Sequence, residues 1–368
     1  MDMYAVRTLR SQPLRLMLTI GGIALCVILM FFLFAVYRGA ADGSVEYIRQ
    51  NKTDLWVLQR NATNILRGSS LVSAVQGRKI QQIPGVKSIS PVLFVLAAIK
   101  KGDRDRTVFL TGFDPEKNIG GPPYLVAGRN ISHDNEIVLD KSFAAKFRFK
   151  VDDHVEIQEH SLRVVGISTG TNAFVIQYAF VTVRFLQKMI GFPGIATCYL
   201  VEVDEGNTLA EISSQIRREL PRLEVYDHET FLENNIQEMK SGFLPLLYTV
   251  AAIGGIVLTV ILSLLLTVNI LERRKDFAVL KTLGSPKGFL RWLIIEQALL
   301  ISSAACVVAL IVFFPLVQMI EKISPEVSTK STVEQIIVVV IIVEIMSLIS
   351  SFLSIRRLRS IYLMEAFL

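Results

Sequence analysis

Residues 271–300 read LERRKDFAVLKTLGSPKGFLRWLIIEQALL and join two long apolar stretches of the chain. The first part has the period of a short helix that is apolar on one side and charged on the other. One side of that helix carries Asp276, Val279, Leu280 and Leu283. Gly284 can adopt a positive φ and end this helix, and Ser285 with Pro286 suits the start of the next one. Residues 272–292 are therefore predicted to form the folded, charged turn of a membrane hairpin.

Four apolar runs are long enough to cross a bilayer, which takes about 20 residues of α-helix. They are residues 16–37, 243–271, 293–320 and 333–355. Hydrophobic residues make up 51% of the 368 residues and the mean hydropathy is +0.47, which is too apolar for a soluble protein of this length. Buried core helices rarely stay uncharged on all sides over such lengths. We therefore predict four transmembrane helices, the first of them an uncleaved anchor because its apolar core exceeds that of a signal peptide.

The distribution of positive charge predicts which ends of the spans face the cytoplasm. The formal net charge is +6, and residues 1–15, 272–291 and 356–368 together hold 12 basic and 4 acidic residues. Lys and Arg are concentrated in the cytoplasmic segments of membrane proteins. We therefore expect an amphipathic N-terminal segment at 1–15, the turn and the tail at 356–368 to be cytoplasmic, and the short loop 321–332 to be external. The excess of basic over acidic residues is then explained without a nucleic-acid partner.

Residues 38–242 form one large insertion between the first and second spans, long enough for one or two domains. A polar helical stretch opens it at 40–50. The elements predicted next are a strand at 54–59, a helix within 70–83, and a hairpin of 86–100 and 106–112 around the turn KKGDRD. The polar stretch 227–242 is predicted as a helical lead into the second span, which could project outward as a stalk.

The composition changes at Gly120-Gly121-Pro122-Pro123, and residues from about 120 to 194 have the pattern of a small β-rich subdomain. It is predicted to hold strands at 136–139, 155–157 and 162–167 and a helix at 141–147. Beyond it come a strand at 198–203, a helix at 208–220 with a Thr208…Glu211 capping box, and a strand at 223–226. The predicted fold is thus four transmembrane helices with a large extracytoplasmic α+β domain, in which an interrupted βαβ domain holds a β-rich insert.

Four motifs occur in order along the chain: AVRTLRSQPLRLMLTIGGIAL at 5–25, DFAVLKTLG at 276–284, Glu296 at the head of the third span, and the tail RRLRSIYLMEAFL at 356–368. Together they resemble the MacB/FtsX type of ABC transporter permeases. The second resembles the signature E-I-G-x-L-[RK]-A-L-G, with Asp276 in place of Glu and Phe277-Ala278 in place of Ile-Gly. The tail has Leu363 where the family usually has proline. The resemblance spans nearly the whole chain.

The resemblance implies a role in transport. The segments DLWVLQ, PGVKSISPV, GFDP and LKTLG resemble the DevC-like branch, which works with a separate ATPase and a periplasmic adaptor. The implied protein is the permease subunit of an exporter in the bacterial inner membrane, a homodimer with two ATPase copies that bind ATP and Mg²⁺. It would expel a lipid-like or other amphiphilic substrate, with an adaptor and an outer-membrane channel as further partners.

Other members of the same permease type have different functions, so two alternatives stay open: FtsX-like signalling to an external hydrolase, or lipoprotein release of the LolC/E kind. A membrane scaffold without an ATPase is disfavoured by the folded turn and the tail.

The resemblance places the contact with the ATPase in the charged turn. The residues assigned to this coupling role are Arg273, Arg274, Asp276, Phe277, Val279, Leu280, Lys281, Leu283 and Gly284. No G-x-x-x-x-G-K-[ST] motif occurs in the sequence, and GSPKG at 284–288 lacks its first half. The chain is therefore predicted to bind no nucleotide itself and to be no enzyme. From the residues alone, a basic collar that only sets topology explains the turn equally well.

Three polar residues stand within or near the apolar runs: Asn269, Glu296 and Glu344. A carboxylate in the middle of a membrane helix is costly, so Glu344 is expected to meet a partner. Either it senses opening or binds a ligand, or it accepts a structural hydrogen bond from Asn269 or a serine, which we favour. Glu296 is expected to be stabilised by a helix N-terminus.

No metal or catalytic site is predicted from the remaining polar residues. The histidines, His133, His154, His160 and His228, all fall in the large insertion and lack nearby cysteines. Cys26, Cys198 and Cys306 are expected to be small apolar filler, and Asp103 and Asp105 to belong to a solvated turn. The chain itself is expected to bind no cofactor.

Overall fold

The structure, a computed structural model, describes residues 13–65, 70–101, 104–117, 119–173, 176–272, 287–323 and 332–358. The chain forms two compact units. The helical unit takes its residues from Met1–Arg38, Leu244–Met319 and Thr329–Leu368, and the α/β unit from Gly39–Phe243 and Ile320–Ser328.

Four long helices supply the helical unit: α1 (Pro13–Ser44), α7 (His228–Glu272), α8 (Lys287–Ile323) and α9 (Val333–Leu358). Each contains an apolar window long enough to cross a bilayer. The predicted transmembrane helices are confirmed, and each helix extends beyond its predicted span. The second is the longest at 45 residues, because the polar lead before the span joins it in one helix that begins at His228.

Small and branched side chains from all four long helices form the core of the helical unit. Ile23 and Val27 of α1, Leu262 of α7, Ala305 of α8 and Val339 of α9 are fully buried there. The alanine lets helices approach closely, and the larger aliphatic side chains fill the space between them.

The α/β unit consists of short helices and strands. The helices are α2 (Glu46–Gln50), α3 (Ala74–Gln81), α4 (Lys141–Phe147), α5 (Val183–Met189) and α6 (Leu209–Glu219). The strands are β1 (Leu55–Gln59), β2 (Val72–Ser73), β3 (Val86–Lys101), β4 (Arg104–Phe113), β5 (Tyr124–Gly128), β6 (Glu136–Asp140), β7 (His154–Ile157), β8 (His160–Thr169), β9 (Asn172–Ala173), β10 (Ile176–Thr182), β11 (Ile195–Ala196), β12 (Cys198–Val203) and β13 (Leu223–Asp227).

The first sheet of this unit has the order β13-β1-β12-β3, and all its neighbours are antiparallel. Strands β12 and β13 are joined by α6 and flank β1, so the predicted strand–helix–strand unit is present with a third strand between its two strands. Thr208 and Glu211 form the predicted capping box of α6. Ile212 and Ile216 of α6 are buried against this sheet, together with Ile80 of α3.

The strands of the predicted insert close into a ring with the hairpin β3–β4. The hydrogen-bonded sequence is β3-β4-β10-β6-β8-β7, and β7 returns to β3 where Lys100 pairs with Glu156. Its apolar interior is lined by Ile99, Leu110, Leu139, Val164 and Val181. The long strand β3 serves both parts: Val86–Val92 pairs with β12 and Leu93–Lys101 pairs with β4. The insert is therefore a small closed barrel that shares a strand with the first sheet.

Strands β5 and β10 and helix α5 were not predicted from the sequence. The apolar run from Ile176 into α5 has no alternation, because β10 is buried on both faces in the centre of the barrel wall. Strand β5 follows Pro122-Pro123 and is exposed along its whole length, so its sequence resembles a loop.

Candidate functional site

The predicted coupling residues Arg273, Arg274, Asp276, Phe277, Val279, Leu280, Lys281, Leu283 and Gly284 lie outside the described residues. The described part of α7 ends at Glu272, and the next described residue is Lys287, the first residue of α8. The coupling role of the turn therefore stays a prediction.

A polar cluster lies about half-way along α9, at Glu344. The hydroxyl of Ser302 donates a hydrogen bond to Glu344 Oε2 at 2.7 Å, and the hydroxyl of Ser303 donates to Oε1 at 2.9 Å. Both serines belong to α8, so the carboxyl group joins the third and fourth spans. The predicted hydrogen bond from a neighbouring span is thus present, with serines as the donors.

The other two intramembrane candidates are Asn269 and Glu296. Asn269 lies near the end of α7, and its side chain is outside the described part of the structure. Glu296 is the tenth residue of α8, which begins at Lys287, and it is half-buried. Glu296 thus lies beyond the first turn of its own helix, where the effect of the helix dipole has fallen off, and its role stays a prediction.

A row of hydroxyl groups joins the second and fourth spans. Ser350 and Ser354 of α9 donate hydrogen bonds to the carbonyl oxygens of Thr259 and Ser263 of α7, at 3.2 and 3.1 Å. Both pairs are 91 residues apart in sequence, so the two helices run in the same direction. Ser350 and Ser354 are fully buried. This close packing of small residues fixes the register between the helices.

An apolar groove lies beside the first and second spans of the helical unit. It is lined by Met30, Leu33, Phe34, Tyr37, Leu244, Tyr248 and Ala251. Except for the hydroxyl groups of the two tyrosines, these side chains are apolar. Such a lining suits hydrocarbon chains rather than a polar solute.

The α/β unit contains two carboxyl groups with opposite environments. Arg129 binds both oxygens of Glu136, and the backbone N–H groups of Ser132 and His133 add hydrogen bonds. Arg129 and these donors lower the pKa of Glu136 to about 2. Asp140 caps α4 by accepting from Ser142 N at 2.7 Å, but burial raises its pKa to about 6. His133 thus takes part in a structural contact.

The substitution Asp140→Asn is expected to remove a loss of folding stability of the barrel that grows with pH. Because the pKa of Asp140 is raised in the folded state, the folded protein loses stability as the pH rises from about 4 to about 6. Asparagine keeps the cap without a buried charge, so the variant should be more stable at pH 7.5 by on the order of 2 kcal/mol and equal near pH 4. Thermal unfolding followed by the fluorescence of Trp56, in a Trp292→Phe background, measures this difference. Equal pH profiles for the two proteins would contradict it.

No group of three or more His, Cys, Asp or Glu side chains in the described ranges is arranged to hold a metal ion. Cys26, Cys198 and Cys306 are free thiols, and burial raises the pKa of Cys198 well above its ordinary value. A thiol with so high a pKa is a poor nucleophile. The polar groups with clear structural partners act in packing, in capping and between membrane helices.

Two family models cover most of the chain. The MacB-like periplasmic core domain matches residues 16–219, and the FtsX-like permease C-terminal domain matches residues 248–363. An uncharacterized ABC transporter permease of Mycobacterium tuberculosis H37Rv is 27% identical over 327 residues, which cover 86% of this chain and 87% of the relative. Another, from Mycobacterium bovis, is 22% identical over 306 residues, covering 83% and 82%. The crystal structure of the periplasmic region of MacB from Actinobacillus actinomycetemcomitans aligns with a TM-score of 0.40 and 13% identity, covering 50% of this chain and 94% of that one.

Proposed function

The chain belongs to the MacB/FtsX type of ABC transporter permeases, and we propose that it turns ATP hydrolysis on a separate subunit into movement of its α/β unit. A permease of this type implies an ATPase partner. The proposed assembly is a homodimer of this chain with two ATPase copies, which supply the ATP and Mg²⁺ sites. Its proposed place is the bacterial inner membrane, with both termini in the cytoplasm and the α/β unit outside.

The observation that carries this proposal is the continuity of α7. The helix begins at His228 within the α/β unit and is described as far as Glu272, the first residue of the proposed coupling turn. A displacement of the turn would therefore act on the end of one helix, and the backbone of that helix continues to the residues proposed to be external. The hydroxyl contacts of Ser350 and Ser354 connect the same helix to α9. Both features support transmission of movement rather than passage of a solute through a pore.

The proposed cargo is an amphiphile, expelled from the outer side of the membrane. The apolar groove beside Tyr37 and Tyr248 supports this substrate class, because it offers few polar groups to a water-soluble solute. The DevC-like segments favour a periplasmic adaptor, with an outer-membrane channel beyond it. FtsX-like signalling to an external hydrolase is the second candidate, and lipoprotein release of the LolC/E kind is a third. Co-purification of an adaptor would favour export, and that of a hydrolase would favour signalling.

Reconstitution tests the proposed function directly. The full chain in lipid nanodiscs is expected to bind one of the ABC ATPase subunits of its organism and to raise the rate of ATP hydrolysis. An ATPase rate that is the same with and without the chain, for every ATPase subunit tried, would contradict the proposal.

Single cysteines at positions 103 and 287 test the proposed topology. Asp103→Cys should be labelled from outside intact spheroplasts by a membrane-impermeant maleimide, because it lies in the external insertion. Lys287→Cys should be labelled only after the membrane is opened, because it flanks the cytoplasmic turn. Both variants are made in a chain with Cys26, Cys198 and Cys306 replaced by alanine. The reverse labelling pattern would overturn the orientation.

A further inference from the structure

The sequences of the four predicted spans offer Glu344 no cationic side chain as a partner. Residues 16–37, 243–271, 293–320 and 333–355 contain no Lys, Arg or His. Glu344 is the twelfth residue of the last of these spans, so it lies near the bilayer midplane. An ionised carboxylate at that depth is unfavourable by a few kcal/mol unless another group compensates it. The sequence thus places an acidic group where only a ligand or a partner could supply the opposite charge.

The two hydrogen bonds to Glu344 leave acceptor positions free on its carboxyl oxygens. Each of its oxygens accepts one hydroxyl, from Ser302 at 2.7 Å and from Ser303 at 2.9 Å. Ser302 has one hydroxyl proton and also lies 3.1 Å from the carbonyl oxygen of Leu299, so the shorter contact to Glu344 takes the proton. A carboxylate offers about four acceptor positions, and these two bonds leave room for more.

The cluster opens toward the surface of the helical unit. Glu344 is half-buried and Ser303 is exposed. The neighbouring side chains on the same surface are apolar, with Val307, Ile341 and Ile345 each more than half exposed. A group approaching from the hydrocarbon layer of the bilayer can therefore reach the carboxylate without passing through the core.

We propose that Glu344 is a binding site for the cationic head of an amphiphile, with Ser302 and Ser303 as positioning residues. An ammonium or similar cation would complete the partners of the carboxylate, and charge-assisted contacts of this kind are the strong ones in an apolar medium. The apolar side chains around Ser303 would contact the hydrocarbon tail. Neutral and anionic amphiphiles gain nothing from the carboxylate, so the site selects for positive charge. This inference names the substrate class of the proposed exporter and rests on that function only in treating the ligand as cargo.

Binding of rhodamine 6G, a fluorescent lipophilic cation, tests the site. The full chain is placed in nanodiscs of phosphatidylcholine, and binding is followed by fluorescence anisotropy against empty nanodiscs. Glu344→Gln keeps the size and one acceptor oxygen but loses the charge, and it should weaken binding at least tenfold. The matched control is Glu334→Gln, at the exposed first turn of the same helix, which should bind as the unaltered chain does. Dodecyltrimethylammonium should displace the dye, and dodecyl maltoside should not.

Two results would overturn the inference: equal affinity in Glu344→Gln and the unaltered chain, or equal displacement by the cationic and the neutral detergent. Ser303→Ala is a second variant, for the case that Glu344→Gln fails to fold. It removes one exposed hydroxyl group and should weaken dye binding a few-fold. Glu344→Gln should still form the dimer and bind the ATPase. Dye binding without any ATPase association would refute the proposed function and leave the cation site standing. ATPase association without charge-dependent dye binding would refute only the site.

Discussion

Replacing Leu280 by aspartate is expected to abolish ATP-driven work by the complex while the chain still inserts into the membrane. Val279, Leu280 and Leu283 are predicted to lie, with Asp276, on one side of the proposed coupling helix. An aspartate in the centre of an apolar protein interface leaves a charge without a partner, and removal of one central contact commonly costs 2 kcal/mol or more in binding. The association constant with the ATPase should therefore fall at least about thirtyfold.

ATP hydrolysis by the reconstituted complex measures the effect of Leu280→Asp. Leu209→Asp is the matched control, because it introduces the same charge at an exposed leucine of the α/β unit. The control should retain full stimulation of the ATPase. Normal stimulation by Leu280→Asp in well-inserted, monodisperse protein would refute the coupling role of the 272–292 turn.

Replacing Ser350 and Ser354 together by leucine is expected to separate the second and fourth spans. Both serines are fully buried against the backbone of α7, so this seam, the contact of Ser350 and Ser354 with α7, has no space for larger side chains. Overpacking typically costs 1–3 kcal/mol per site, which predicts a melting temperature lower by about 10 °C and a loss of ATPase stimulation. The double alanine variant loses only two interhelical hydrogen bonds, each worth about 0.6 kcal/mol, and should be only slightly destabilised.

Thermal aggregation of the detergent-solubilised protein, followed by size-exclusion chromatography, compares these variants. Ile349→Phe adds volume at an exposed position of the same helix and is the matched control. It should melt within a few degrees of the unaltered chain. A double leucine variant that melts like Ile349→Phe would show that the seam does not set the packing of α7 against α9.

Local patterns predicted the parts of the fold whose causes are local. Apolar length predicted the four spans, and alternation with turn residues predicted strands such as β12 and the hairpin β3–β4. The capping box of Thr208 and Glu211 and the helix Lys141–Phe147 were also confirmed, because caps and turns depend on a few neighbouring residues. These signals contain no information about which strands pair over long distances.

The parts that the sequence did not predict depend on contacts between distant segments. The closed barrel requires Lys100 of β3 to pair with Glu156 of β7, and no local pattern contains that pairing. Strand β10 was missed because a strand buried on both faces lacks alternation. For Glu344, the residue type predicted a hydrogen-bonding partner on another span, but only packing decides that Ser302 and Ser303 are partners.

The most direct test of force transmission from an ATPase is a binding measurement on the purified full chain. The chain in nanodiscs is mixed with each ABC ATPase subunit of its organism, with and without a non-hydrolysable ATP analogue, and the mass of the complex is measured. We expect a complex of two chains and two ATPase copies, which Leu280→Asp abolishes. Absence of ATPase binding in every nucleotide state would contradict the proposed force transmission.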